Sequence, residues 1–387
     1  MKASLLMGPS ALKLFGRGVA AIGAVAFAIG VMGAAQAANV TWSGSTSSAW
    51  GTTTNWRPNS TGTAGPVGTN KLIFGTAVTS RTLVSFAGAN TYSGGIDIIA
   101  GSYTFAGSPL RVKNTITNSS GNQVKFNSGL SLNGDTTLTG ANGYLVQTTS
   151  GTGGLQFGGT GTSTIVNAGG TGIVSQTAGT VYWNQGGYGG NVSAQGGTMQ
   201  LGIDPAVSAA ENYAGLTIQG NVTLTGAAVV MGIGGQGTGA GSAGNDYDAF
   251  IVTGGGGVGG TALGDITLGG DLSVDFASAS GKALVDFTTF NLFQAAGTLS
   301  GNFNSITLTG SLAGGWAGVT GFTESSPGSG LWITTNNSVT GQWLEFTSAT
   351  GNLVVVPEPS TMVFAGVGVA MAGFSAWKKR RNAKAKA

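Results

Sequence analysis

Residues 88–107 read GANTYSGGIDIIAGSYTFAG. Ile96 and Ile98 flank Asp97, Tyr103 and Phe105 flank Thr104, and glycines separate the two runs. Residues two apart share a face of an extended chain, and glycine accepts turn conformations that other residues avoid, so the stretch predicts strand, turn, strand. Similar short apolar runs follow at 124–132, Leu138, 145–146, 155–157, 165–166, 173–174 and 181–183, and again in NVSAQGGTMQLG from Asn191 to Gly202. Their spacing of about 8 to 10 residues fits several strands per coil of a stacked structure.

Composition supports this reading. The chain holds 73 Gly in 387 residues, well above the usual share of roughly 7 %. No three-residue period accompanies them, which excludes collagen, and the alternation between them argues against plain disorder. Thr, Ser, Val, Ile and Phe dominate the middle while Lys, Glu and Arg are scarce, a strand-forming balance. A strand with one apolar face cannot bury it alone, whereas stacked coils bury a continuous apolar column. The expectation is an all-β fold, a parallel β-helix. At about 20 to 25 residues per coil, residues 38–240 supply roughly eight to ten coils. A β-sandwich or jelly roll is the alternative use of the same strands.

Residues 88–107 closely resemble the autotransporter-associated β-strand repeat, whose units stack as rungs of a right-handed parallel β-helix, and 191–202 is a partial copy. The resemblance implies a repeat region over 38–244. Residues 232–244, GIGGQGTGAGSAG, read as a flexible insert. Their Gly232, Gly234 and Gly237 match a dinucleotide-loop spacing by chance, with no βαβ unit around them. A C-terminal β-segment is expected over 245–356, with Asp271, Asp275 and Asp286 facing solvent from half-buried strands. This segment resembles the closing β-segment common before a particular sorting signal in autotransporter-like surface proteins.

The two ends carry addresses. Residues 1–17 form a basic start, residues 18–35 an apolar stretch and Ala35-Gln36-Ala37 a small-residue cleavage site. That pattern predicts a signal peptide over 1–37, cut before Ala38, with the Sec translocon and signal peptidase as partners. At the other end Val356-Pro357-Glu358-Pro359 precedes an uncharged run from Thr361 to Trp377 and a tail containing Lys378, Lys379, Arg380, Arg381, Lys384 and Lys386. The prolines stiffen the box into an extended peptide that a protease groove can grip. The run is just long enough for one transmembrane helix, with Trp377 at the interface and the basic tail cytoplasmic. Box, apolar helix and basic tail over 357–387 closely resemble the PEP-CTERM sorting signal. The resemblance implies processing by an exosortase, a membrane-embedded cysteine protease-transpeptidase, with this chain as substrate: a membrane-anchored precursor, then a surface or extracellular protein.

Charge and missing residue types narrow the function further. Between Ala38 and Val356 seven Lys and Arg face twelve Asp and Glu, so the body is acidic and a nucleic-acid partner is not expected. There is no Cys and no His, which removes disulfides, thiolate and imidazole metal sites, and His-dependent triads. No cofactor and no metal site are expected. Asp246 with Asp248, and Asp204 with Glu211, are the carboxylate pairs with spacing suited to Ca²⁺ or to acid–base work, but neither has a nearby basic residue to orient a substrate. Trp42, Trp50 and Trp56 read as a cap over the first coil, with glycan stacking as the alternative. The expected function is a non-enzymatic structural or adhesive surface protein of a matrix or biofilm, in contact with the membrane and extracellular polysaccharide. The alternatives are an ice- or glycan-binding module, whose irregular Thr52–54 and Thr160–164 show no ladder, and a polysaccharide-active β-helix enzyme.

Overall fold

The computed structural model describes residues 39–44, 47–57, 68–75, 83–86, 91–167, 169–185, 187–202, 213–234, 247–255, 263–276, 284–310, 316, 319 and 321–358. Ile96–Ile98 and Thr104–Gly107 are strands, as the alternation predicts. They do not pair with each other. Ile96 lies in parallel register between Leu72 and Ile116, and Phe105 between Val84 and Phe126. Each strand therefore finds its partners one circuit away along the chain.

Three faces recur in order. On the first, Leu155, Val174, Val192, Val222, Ile266 and Leu299 align in consecutive parallel strands. On the second, Phe126, Val146, Ile165, Trp183 and Leu201 do the same. On the third, Gly215–Ile218 pairs with Ala249–Val252, and that strand with Phe293–Ala295. This all-β, parallel arrangement is compatible with the expected β-helix. A sandwich or jelly roll needs antiparallel ladders, and among the described residues before Thr309 the antiparallel strand pair within the stack is Asn39–Trp42 with Trp56–Arg57.

Burial follows the period-two pattern: the inward residues form one continuous core, including Ile96, Ile98, Phe105, Val174 and Leu272. Phe105 and Phe126 stack at 5.0 Å, and Phe250 and Phe293 at 5.7 Å. Identical positions on successive coils thus place aromatic faces parallel, which adds to area burial. Corners explain much of the glycine. A Cβ on Gly140, whose φ is +116°, would stand 2.1 Å from the Asn118 carbonyl oxygen one coil away. Only a residue without a side chain lets the coils close there.

Coil length is not constant. Equivalent positions Thr137 and Gln156 are 19 residues apart, whereas Asn191 and Asn221 are 30, Asn221 and Asp265 are 44, and Asp265 and Thr298 are 33. Segments 203–212, 235–246, 256–262 and 277–283 of these longer circuits lie outside the described residues. Ala228–Gly232 pairs parallel with Asp271–Asp275, and that strand with Ser305–Thr309, so described strands on both sides of the Gly-rich insert share one ladder. Ile233 bridges Tyr247, bringing the two ends of the Gly-rich insert together and returning the chain to the stack.

The change comes at the C-terminal end. Phe322–Glu324, Leu331–Thr334, Trp343–Thr347 and Asn352–Val356 pair antiparallel in that order. Thr289–Asn291 joins the far side of Asn352–Val356. Phe346 of this sheet packs on Phe293 and Phe303 at 6.2 and 5.9 Å, so the sheet closes the apolar column.

Candidate functional site

The last strand, Asn352–Val356, is an interior strand, flanked by Thr289–Asn291 on one side and Trp343–Thr347 on the other. Its apolar alternation drives this placement: Leu353 and Val355 are wholly buried. Val356 sits opposite Trp343, so the sorting box starts inside the sheet with no spacer. Pro357 is buried and Glu358 exposed. A Cβ on Gly341, whose φ is +68°, would lie 2.6 Å from Glu358 Cδ; the glutamate side chain therefore lies directly over that glycine's backbone. Pro359 lies outside the described residues.

Two loops flank this exit, one leading into each neighbour of the last strand. Residues 284–288 precede Thr289–Asn291, and Phe287 N–H donates to the Val355 carbonyl at 2.8 Å. Residues 337–342 precede Trp343–Thr347, with Asn337 Oδ1 accepting the N–H groups of Val339 and Thr340 at 2.8 and 3.0 Å. Gln342 ties the loops together, donating its side-chain amide to the Leu284 carbonyl at 3.3 Å and to Asp286 Oδ1. None of these flanking residues was visible as part of the site in sequence, since Gln342 and Asp286 are 56 positions apart.

Residues 355–381 match the PEP-CTERM protein-sorting motif. The match begins at Val355, within the last strand, and takes in the box and the apolar and basic segments after it. It marks the chain as an exported, membrane-processed protein sorted by an exosortase. No curated protein and no solved structure matches the chain. Among the described residues no helix is long and apolar enough to cross a membrane; the PEP-CTERM apolar run 361–377, Trp377 and the basic residues Lys378, Lys379, Arg380 and Arg381 lie outside them. So do the signal peptide and Ala35, Ala37 and Ala38.

The remaining candidate residues take other places. Trp42, Trp50 and Trp56 are at most 1 % exposed. Trp56 lies edge-on to both others at 5.0 Å, and Trp50 Nε1–H donates to the Tyr92 hydroxyl at 2.7 Å. Stacking on a sugar needs an open ring face, and these three have none. Asp248 is buried; its two carboxylate oxygens accept the N–H groups of Ala214 and Gly232 at 2.7 and 2.6 Å. Burial pushes its pKa up to about 7 against the pull of those two donors. Its proposed partner Asp246, like Asp204 and Glu211, lies outside the described residues. Among the described residues no three potential ligands gather for a metal.

Of the two threonine stretches considered, one enters a ladder: Thr162, Thr180 and Thr198 align on the second face, and Ala228 and Asp271 then break it. On the first face the outward column runs Gln156, Ser175, Ser193, Thr223, Thr267 and Ser300, polar and uncharged throughout. An open groove of about 560 Å³ lies at its start, lined by Asp135, Gln156, Ile173, Ser175 and Asn191 among others.

Proposed function

We propose that this chain is a structural or adhesive cell-surface protein, delivered by exosortase, whose autotransporter-like repeats form a right-handed parallel β-helix. The observation that carries the reading is the start of the PEP-CTERM match inside the last strand of the closed stack: processing beyond the box leaves the entire folded body on the outer side. Export by the Sec translocon with cleavage after Ala37, and retention of the precursor by 361–377, complete the route. The long uncharged outward column supports contact with extracellular polysaccharide at many weak points, where repetition supplies avidity.

The reading is non-enzymatic. Its support is that the carboxylates serve the scaffold: Asp265 Oδ1 accepts the Thr298 N–H at 2.6 Å, Asp135 Oδ1 accepts the Gly154 N–H at 2.9 Å, and Asp97 pairs with Lys71 at 2.7 Å. The test is the intact mass of protein recovered from cells with and without the sorting protease. A species running from Ala38 to near Pro357, found only with the protease, is expected. Retention of 361–387 under both conditions would refute sorting by this route.

The groove favours a second reading, a module for a neutral glycan. Asp135 and Asn191 offer polar oxygens beside Ile173, which is 54 % exposed, a mixed lining suited to a sugar's hydroxyl and C–H faces. Binding of a neutral oligosaccharide panel, lost on Ile173→Asp, is the expected result; an unchanged panel response in that variant removes the groove from consideration.

A further inference from the structure

Among the described residues six large apolar side chains stand exposed, and three of them, Val285 at 43 %, Phe287 at 64 % and Val339 at 73 %, lie on the two loops that flank the exit of the last strand. Strand register fixes this grouping. Thr289 lies opposite Val354 and Trp343 opposite Val356, so both loops stand at the end where the chain leaves the body, one on each side. Gln342 bonds across from one loop to the other. Phe287 is held outward at a φ of +64°, one of two non-glycine residues described with positive φ. A bulky residue in that region costs energy that its surroundings must offset.

The chain after Val356 reaches the uncharged run at Thr361 five residues later, at most about 18 Å even when fully extended. Whatever bilayer that run enters, this end of the body is held against its surface. We propose that the rim formed by Val285, Phe287 and Val339 rests in the headgroup layer of the bilayer, so that the precursor is seated on the membrane by its end as well as tethered to it. The proposal rests on the reading of the chain as a membrane-anchored sorting substrate. Apolar side chains grouped at an interface favour shallow burial there. Asp286, bonded to Gln342, and Glu358, lying over Gly341, share the rim and set its depth at the headgroups, short of the acyl chains.

The chain has no cysteine, so single labels are specific. Val285→Cys, Val339→Cys and, as control, Thr115→Cys on an exposed outward position of a distant coil each carry an environment-sensitive fluorophore in the full-length precursor, reconstituted in phosphatidylcholine vesicles with a minority of phosphatidylglycerol. At 285 and 339 emission shifts to shorter wavelength and is lost to a lipid-borne quencher, while 115 stays water-like. Flotation with the vesicles and water-like emission at all three positions overturns the rim proposal alone. Failure to float overturns the anchoring, and the rim proposal with it.

Discussion

Asp248 shows how a single side chain ties pH to stability. Its acid form is favoured in the folded state, with the pKa raised to about 7 from 3.8. Such a group contributes most below its unfolded pKa, and the contribution is lost as pH climbs from about 4 to about 7. In Asp248→Asn that loss should vanish, so the wild type should fall relative to the variant by a few kcal/mol between pH 4 and pH 8, read from paired denaturant titrations. A second prediction concerns Gly140: alanine there meets both the left-handed φ and the Asn118 carbonyl and should cost at least about 2 kcal/mol, measured as a fall in the unfolding midpoint. Which residues point inward was legible from alternation alone, because the period belongs to the strand. The role of Trp42, Trp50 and Trp56 was not, because aromatic rings serve a cap and a sugar site equally well until their neighbours are known.

Elements were legible as strands and illegible as partners. A parallel partner stands one circuit away, and circuits here range from 18 to 44 residues, so no local spacing announces it. The Gly-rich run was legible as an insert, whereas the Ile233–Tyr247 bridge across it was not, because nothing in the sequence marks those two residues as neighbours. The sorting box was legible as chemistry but its setting was not, since nothing in Val356-Pro357-Glu358-Pro359 discloses that its first residue is paired and its first proline buried. An extended peptide must be free to enter a protease groove, so the sheet competes with the enzyme for this segment. Inserting a short Gly-Ser spacer between Val356 and Pro357 should therefore speed processing by exosortase in membranes, measured as the rate of precursor loss. An unchanged rate would mean that the enzyme grips only residues beyond the sheet.

The described body is a sequence of neighbours. Each coil touches the one before and the one after, and the column is finished by an aromatic cluster at one end and an antiparallel sheet at the other. Stability in such a stack approximates a sum of local interfaces. Hydrogen exchange should accordingly resolve residues 96–185, where circuits are short and continuous, from residues 213–309, where long inserts interrupt them, with the first set protected more strongly. A single protection value across both would show one cooperative unit. Because there is no disulfide to form, a reductant should leave both values unchanged.

The strand that finishes the cap is also the start of the address. Synthesis makes these residues late, and Thr289–Asn291 waits for Asn352–Val356 before its own edge is covered. A chain that stops short of this point lacks its lid and its label together, so an incomplete product carries no instruction to be displayed. Placing the two on one strand makes the address a certificate of completed synthesis, without any separate inspector.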